Sequence, residues 1–169
     1  MSGMVSDNFT VTGLAALKFS ASVPGELRFR DLVGNMVREV CRRVERDAHV
    51  NGLEWRMLSA FNEAFNNIVE HAYADVAGEV EVLLLIEEER VVLRLTDQGE
   101  GFNFDLAGAR DTPPDFETLS EGGMGLFIIR KAMTEVTYER RHNRNLLTMT
   151  KNLSECARNS ESPNGETRC

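Results

Sequence analysis

Glu63 and Asn67 lie four residues apart in the run Ser59-Ala60-Phe61-Asn62-Glu63-Ala64-Phe65-Asn66-Asn67-Ile68-Val69-Glu70-His71-Ala72-Tyr73. On a helix, that spacing puts one side chain above the other. A carboxylate above a carboxamide can hold a metal ion and a water together. Two glycine-rich segments follow. In Asp97-Gln98-Gly99-Glu100-Gly101-Phe102, an aspartate at a strand end can accept a hydrogen bond from an exocyclic amine such as that of adenine. Gly99 and Gly101 leave room for a ring to approach the backbone. In Glu121-Gly122-Gly123-Met124-Gly125-Leu126, glycines just before a helix free N–H groups to point at an anion, and the helix dipole adds to the attraction. Each signal alone has a plainer reading: a solvated helix face, a strand-terminating turn, and a linker ending in a helix start. Asn66 and Asn67 count against the first, because two adjacent mediocre helix formers in mid-helix lower stability unless something uses them. His71 reads as a structural hydrogen-bonding residue. No Gly-Lys-Ser/Thr occurs in the chain, so this is not the lysine-containing phosphate loop.

The elements that must position these residues follow from periodicity. Leu17 to Val23 alternates as a strand. Pro24 is placed to start a helix, and apolar residues at helical spacing run from Leu27 to Arg46. Asn51-Gly52 breaks the chain, and Leu53 to Ala72 forms a second helix. At about 100° per residue, Met57, Ile68, Phe61, Phe65, Leu58 and Val69 share one arc, and Glu63, Asn67, Glu70 and His71 fall opposite. Val80 to Glu87 and Arg90 to Thr96 read as strands joined by a tight acidic turn. Residues 97–121 lack periodicity, and a loop that long is usually functional or mobile. Gly125 to Met133 forms a short helix. Val136 to Arg141 and Leu146 to Lys151 form a hairpin around His142-Asn143-Arg144-Asn145. The order implies an α+β two-layer sandwich, a mixed, mostly antiparallel sheet with helices on one face. The expected organisation is a flexible arm at 1–14, one domain at 15–153 and a disordered tail at 154–169.

The chain has 169 residues, of which 42% are hydrophobic, enough for one cored domain. Its net charge of −8 argues against general binding to nucleic acid or an anionic membrane. No apolar run approaches a membrane span, and no secretory signal pattern opens the chain. Cys41, Cys156 and Cys169 lack metal-ligand spacing. They read as free thiols in a reducing cytoplasm.

The three motifs, in this order and spacing, resemble the ATP-binding domain shared by gyrase, the Hsp90 chaperone, histidine kinases and MutL, the Bergerat-type fold. Within it the chain is most similar to the bacterial anti-sigma-factor serine kinases. Phe61 to Tyr73 matches their signature helix. Gly122 to Arg130, followed by Met133-Thr134-Glu135-Val136-Thr137-Tyr138, matches their second glycine box. The resemblance covers roughly residues 15–152. It implies that Asn67 binds Mg²⁺ bridging the phosphates of ATP and that Asp97 takes the adenine amine. Gly99 and Gly101 would line the base pocket, and residues 102–121 would be a lid. Gly123, Met124, Gly125 and Leu126 would hold the phosphates, and Glu63 would orient and deprotonate a serine hydroxyl. Thr148, on the last strand, would touch the adenine side. Some of these kinases carry a basic residue where Glu121 and Gly122 stand here. Arg110, Arg130 or Lys131 could substitute, although a solvated surface charge is the plainer role for each.

The resemblance implies a cytoplasmic ATP- and Mg²⁺-dependent serine/threonine kinase acting in partner switching. Such a protein sequesters a sigma factor or other signalling client and phosphorylates a small antagonist protein. A homodimer is implied, with apolar residues of the first helix and strand as its candidate interface. With only a short arm ahead of the domain, the substrate is expected in trans. The alternative is a nucleotide-gated binding regulator without significant phosphoryl transfer. An intact Glu63 favours the kinase, because a pure binder needs no base there.

Overall fold

The computed structural model describes residues 17–73, 78–101 and 123–158. Strand β1 (Leu17–Pro24) leads into helix α1 (Leu27–Ala48). Val33, Val37, Cys41, Val44 and Ala48 recur every three or four residues on α1, so they form one buried stripe. Pro24 ends the strand rather than starting the helix, which begins three residues later. At the other end His49 adopts a left-handed conformation (φ 53°) and its N–H closes on the Glu45 carbonyl. A two-residue strand, β2 (Val50–Asn51), and Gly52 (φ 82°) then turn the chain into α2 (Leu53–Asn67).

Helix α2 is the centre of the helical layer. Leu53, Met57, Ala60, Phe61, Ala64 and Phe65 are buried, and the Phe61 and Phe65 rings stack at 5.6 Å with a 43° tilt. After Asn67 the α-helix widens into a π-helical turn, Ile68–Ala72. The expected helix thus reaches its expected end, but in a different hydrogen-bond pattern, one that recurs near functional sites.

Strands β3 (Glu79–Ile86), β4 (Arg90–Asp97), β5 (Glu135–Arg141) and β6 (Arg144–Asn152) complete a five-stranded sheet of order β1-β3-β4-β6-β5. Helix α3 (Gly123–Ala132) lies between β4 and β5 in sequence. All four neighbouring pairs are antiparallel, so the expected mixed sheet is replaced by a purely antiparallel one among the described residues. Two helices between β1 and β3 bring the chain back in the opposite sense. The β5–β6 hairpin inserts β6 beside β4 and sends β5 to the edge, so the single-helix crossover never creates a parallel neighbour. The α+β, helices-on-one-face architecture is as expected.

The β5–β6 turn is tighter than the sequence suggests. Only His142 and Asn143 separate the strands, and His142 is left-handed at φ 55°. That type of turn suits the twist of a hairpin. It moves Asn145, expected in the loop, into β6 opposite Asp97.

The tail expected from residue 154 is ordered through Arg158. A 3₁₀ turn (Leu153–Glu155) leads to β7 (Ala157–Arg158), which pairs with β2. Leu153 and Cys156 are buried, and the Leu153 N–H donates to the Glu89 carbonyl. Lys151, only 3% exposed, donates to Glu155 Oε2 at 2.6 Å, and the Thr134 hydroxyl donates to the same oxygen at 2.8 Å. Cys41 and Cys156 are free buried thiols, and burial pushes both up from the ordinary thiol range. Polar composition had suggested a disordered tail, but two apolar side chains and the ion pair of buried Lys151 with partly exposed Glu155 hold its first residues down.

Two measurements test this closure. Leu153→Ala should lower unfolding stability by about 2–5 kcal/mol in denaturant titration; a loss below about 1 kcal/mol would remove residues 153–158 from the core. The Lys151 and Thr134 bonds hold the Glu155 carboxyl below its ordinary range. Their stabilisation is therefore present at neutral pH and lost as pH falls through the lowered value. Glu155→Gln should lower Tm at neutral pH and converge on the wild type in acid, with a small difference because Glu155 is partly exposed. A gap that widens in acid would contradict this.

Candidate functional site

The polar face of α2 is not uniformly wet. Glu70 and His71 are exposed, Glu63 is half-buried and Asn67 is 7% exposed. Asn66 is used structurally: its Oδ1 accepts a 3.0 Å hydrogen bond from Arg30 on α1. The cover over Glu63 and Asn67 comes from the first turn of α3. A Cβ built on Gly125 would lie 2.9 Å from Glu63 Oε2 and 3.5 Å from both Asn67 Oδ1 and Nδ2. A side chain at 125 would therefore press on the carboxylate, and glycine is what lets the two helices meet. Gly123, Met124, Gly125 and Leu126 make up this first turn, which contains no acidic residue. The first-turn N–H groups of a helix have no partner within the helix, and its positive dipole end favours an anion there. The Leu126 side chain is buried in the core with Ile129, so only its main chain is available to a ligand. Arg130 and Lys131 occupy the last turn of α3, and Lys131 Nζ sits 5.6 Å over the Phe127 ring. Arg130 is two turns from Gly123, about 10 Å along the axis.

A second polar centre lies at the C-terminal end of β4. Asp97 is 4% exposed. Its Oδ1 accepts hydrogen bonds from the Gly99 N–H at 2.9 Å and from Asn145 Nδ2 at 2.8 Å. Asn145, 1% exposed, also donates from Nδ2 to the Gly99 carbonyl at 3.0 Å. A Cβ on Gly99 would fall 2.3 Å from that of Ala72, in the π-helical turn. On Gly101, at φ 79°, it would fall 2.7 Å from Tyr138 Oη and 2.8 Å from Asn145 Oδ1. Both glycines are thus required by close contact within the chain itself. The Tyr73 hydroxyl donates to the Glu79 carbonyl at 2.8 Å and accepts from the Gln98 N–H at 2.9 Å. Burial pushes this phenol above its ordinary range. A cavity of about 550 Å³ opens beside the loop, bordered by Ala72, Tyr73, Gln98, Gly99 and Arg140.

One helix therefore connects the two centres. Asn67 closes the α-helical part of α2, and Ala72 and Tyr73 lie five and six residues on, against the Asp97 loop. Thr148 does not join them. It pairs in register with Arg94, whose Nε donates to its hydroxyl at 3.0 Å. Buried Leu147 and Met149 flank it on the helix-covered face, so Thr148 points to the other face. A one-residue difference in register reverses every side chain, and Asn145, not Thr148, is the β6 residue beside Asp97. The sequence reading missed Asn145, Tyr73 and Arg140. An asparagine following a two-residue turn was the available signal for the first. The proposed lid at 102–121, with Arg110, and also Gly122 lie outside the described residues.

Among the described residues no three His, Cys, Asp or Glu side chains converge as a metal site. The Glu63 carboxylate and Asn67 carboxamide supply oxygen donors of the type that Mg²⁺ takes, as one or two protein groups completed by phosphate oxygens and water. Their cradle beneath Gly125 fits that role.

Residues 30–151 match the histidine kinase-like ATPase domain. Among curated proteins, the chain is 34% identical over 84 residues to the serine-protein kinase RsbW of Bacillus mycoides, covering 47% of this chain and 52% of that protein. It is 33% identical to the RsbW of Bacillus cereus with the same coverage. The chain thus spans about half the length of the curated relatives it matches. Among solved structures, the Acinetobacter baumannii histidine kinase AdeS aligns with 84% of this chain and 69% of its own, at a TM-score of 0.44 and 15% identity. With a family match that runs from α1 almost to the end of β6 and takes in both polar centres, the chain belongs to the histidine kinase-like ATPase domain family.

Proposed function

We propose that this protein is an ATP- and Mg²⁺-dependent serine/threonine kinase that phosphorylates a small antagonist protein and regulates a sigma factor or other signalling client. The observation that carries the reading is the seat of the α3 first turn on Glu63 and Asn67. It joins an anion-favouring helix end, a carboxamide and a half-buried carboxylate at one place. Family membership makes ATP the expected nucleotide. The similarity to serine-protein kinases supports transfer to serine.

In this reading Asp97 accepts the adenine amine and the first turn of α3 receives the phosphates. Asn67 would hold Mg²⁺, which when bound would neutralise phosphate charge. The Glu63 carboxylate accepts the proton of the seryl hydroxyl. The seryl oxygen forms its bond to the γ-phosphorus as the bond to the β,γ-bridging oxygen breaks, and ADP leaves with that electron pair. Chemistry of this kind is mostly positioning and charge stabilisation, so one carboxylate in the right place suffices. A cytoplasmic location fits the free thiols Cys41 and Cys156, and no described helix is long and apolar enough to cross a membrane. A homodimer is proposed through α1 and β1, where Leu17, Leu27, Leu32 and Met36 are 41–56% exposed.

Incubation with γ-labelled ATP, Mg²⁺ and a candidate small antagonist protein should label that protein on serine. ATP binding without label would replace the kinase with a nucleotide-gated regulator. Glu63→Gln should keep ATP affinity and lose about 10²–10⁴-fold in transfer rate; an unchanged rate would exclude Glu63 as base. Asn67→Ala should weaken nucleotide binding about tenfold or more in Mg²⁺ and much less in chelator. Equal binding to wild type in Mg²⁺ would exclude Asn67 as the ligand.

A further inference from the structure

We infer that Asn145 is the positioning residue that sets base selectivity, by holding Asp97 in the orientation that reads an exocyclic amine; this rests on the ATP-binding reading above. The Asn145 amide spends both N–H groups locally, one on Asp97 Oδ1 at 2.8 Å and one on the Gly99 carbonyl at 3.0 Å. Those two acceptors fix the amide orientation, since the flipped form would set oxygen against oxygen. The consequence is a buried Asn145 Oδ1 without a hydrogen-bond partner. Leaving a buried carbonyl unpaired is unfavourable. A side chain serving only to fill the core would not bring one.

What the amide achieves is directional. Asp97 Oδ1 is saturated by Asn145 and the Gly99 N–H. Both of these bonds fall on Oδ1, so in this reading Oδ2 is the oxygen that takes the ligand's amine. Asn145 also ties the carboxylate to the Gly99 backbone, and Gly99 is packed on Ala72 at the end of α2. Carboxylate, loop and helix end thus form one rigid unit. A carboxylate so fixed cannot turn away when the incoming group is another acceptor. A base that presents a carbonyl where adenine presents an amine meets lone pair against lone pair. Discrimination of this sort is strong where a site's buried polar group is left unpaired by the wrong ligand.

The test compares ATP with inosine triphosphate, which carries a carbonyl oxygen in place of the amine, by calorimetric titration. The wild type should favour ATP by about 100-fold or more. Asn145→Leu should weaken ATP about 10–100-fold and change inosine triphosphate by less than about threefold, so the ratio collapses. Damage that is merely structural would weaken both nucleotides alike and leave the ratio intact, which would overturn the inference. Asn145→Ala removes the amide without adding bulk or charge. If the leucine variant does not fold, the alanine variant should show the same collapse, and a wild-type ratio there would overturn the inference as well. A wild-type protein that binds neither nucleotide would refute the ATP reading itself.

Discussion

The contact between the first turn of α3 and the polar side of α2 constrains the whole site. Two helices of ordinary side chains pack with axes about 8–10 Å apart, and a glycine at the crossing lets backbone approach a carboxylate directly. Gly125 does this over Glu63 and Asn67. The same approach buries Asn67, leaves Glu63 half-buried and sets the pair against the first turn of α3. Burial of Asn67 is then a result of helix packing.

Around that contact the fold is arranged in two layers with unequal tasks. The sheet supplies Asp97 and Asn145 from adjacent strands, β4 and β6, on its covered face. The helices supply Glu63, Asn67 and the α3 first turn. Among the described elements α2 reaches both centres, through its π-helical end. The other face of the sheet carries Arg94 and Thr148, joined by a hydrogen bond.

Legibility from sequence followed the range of the forces involved. The helices were readable because their apolar residues recur at a fixed period, from Val33 to Ala48 and from Leu53 to Phe65. Glu63 and Asn67 were readable as a pair because helical spacing is local. The glycines at 99 and 101 were recognisable, but their physical reason was not: Ala72 and Tyr138 press on them from distant parts of the chain. Thr148 was misplaced because strand facing depends on which alternate residues meet the core, and the burial of Leu147 and Met149 under the helices puts Thr148 on the other face. The order of residues 153–158 was hidden because a polar stretch with only Leu153 and Cys156 as anchors looks like a tail. What held it was Lys151, buried and paired across the 3₁₀ turn.

The β2–β7 pairing carries a consequence for the order of folding. It joins Val50 and Asn51 to Arg158 and Ala157 across about 100 residues of chain. Long-range contacts of this kind delay folding because loop-closure entropy must be overcome before the contact contributes. Leu153 and Cys156 belong to the same buried cluster as Cys41 of α1, so the last core side chains in the described chain order are tied to one of the first helices, and their docking is a late event in folding.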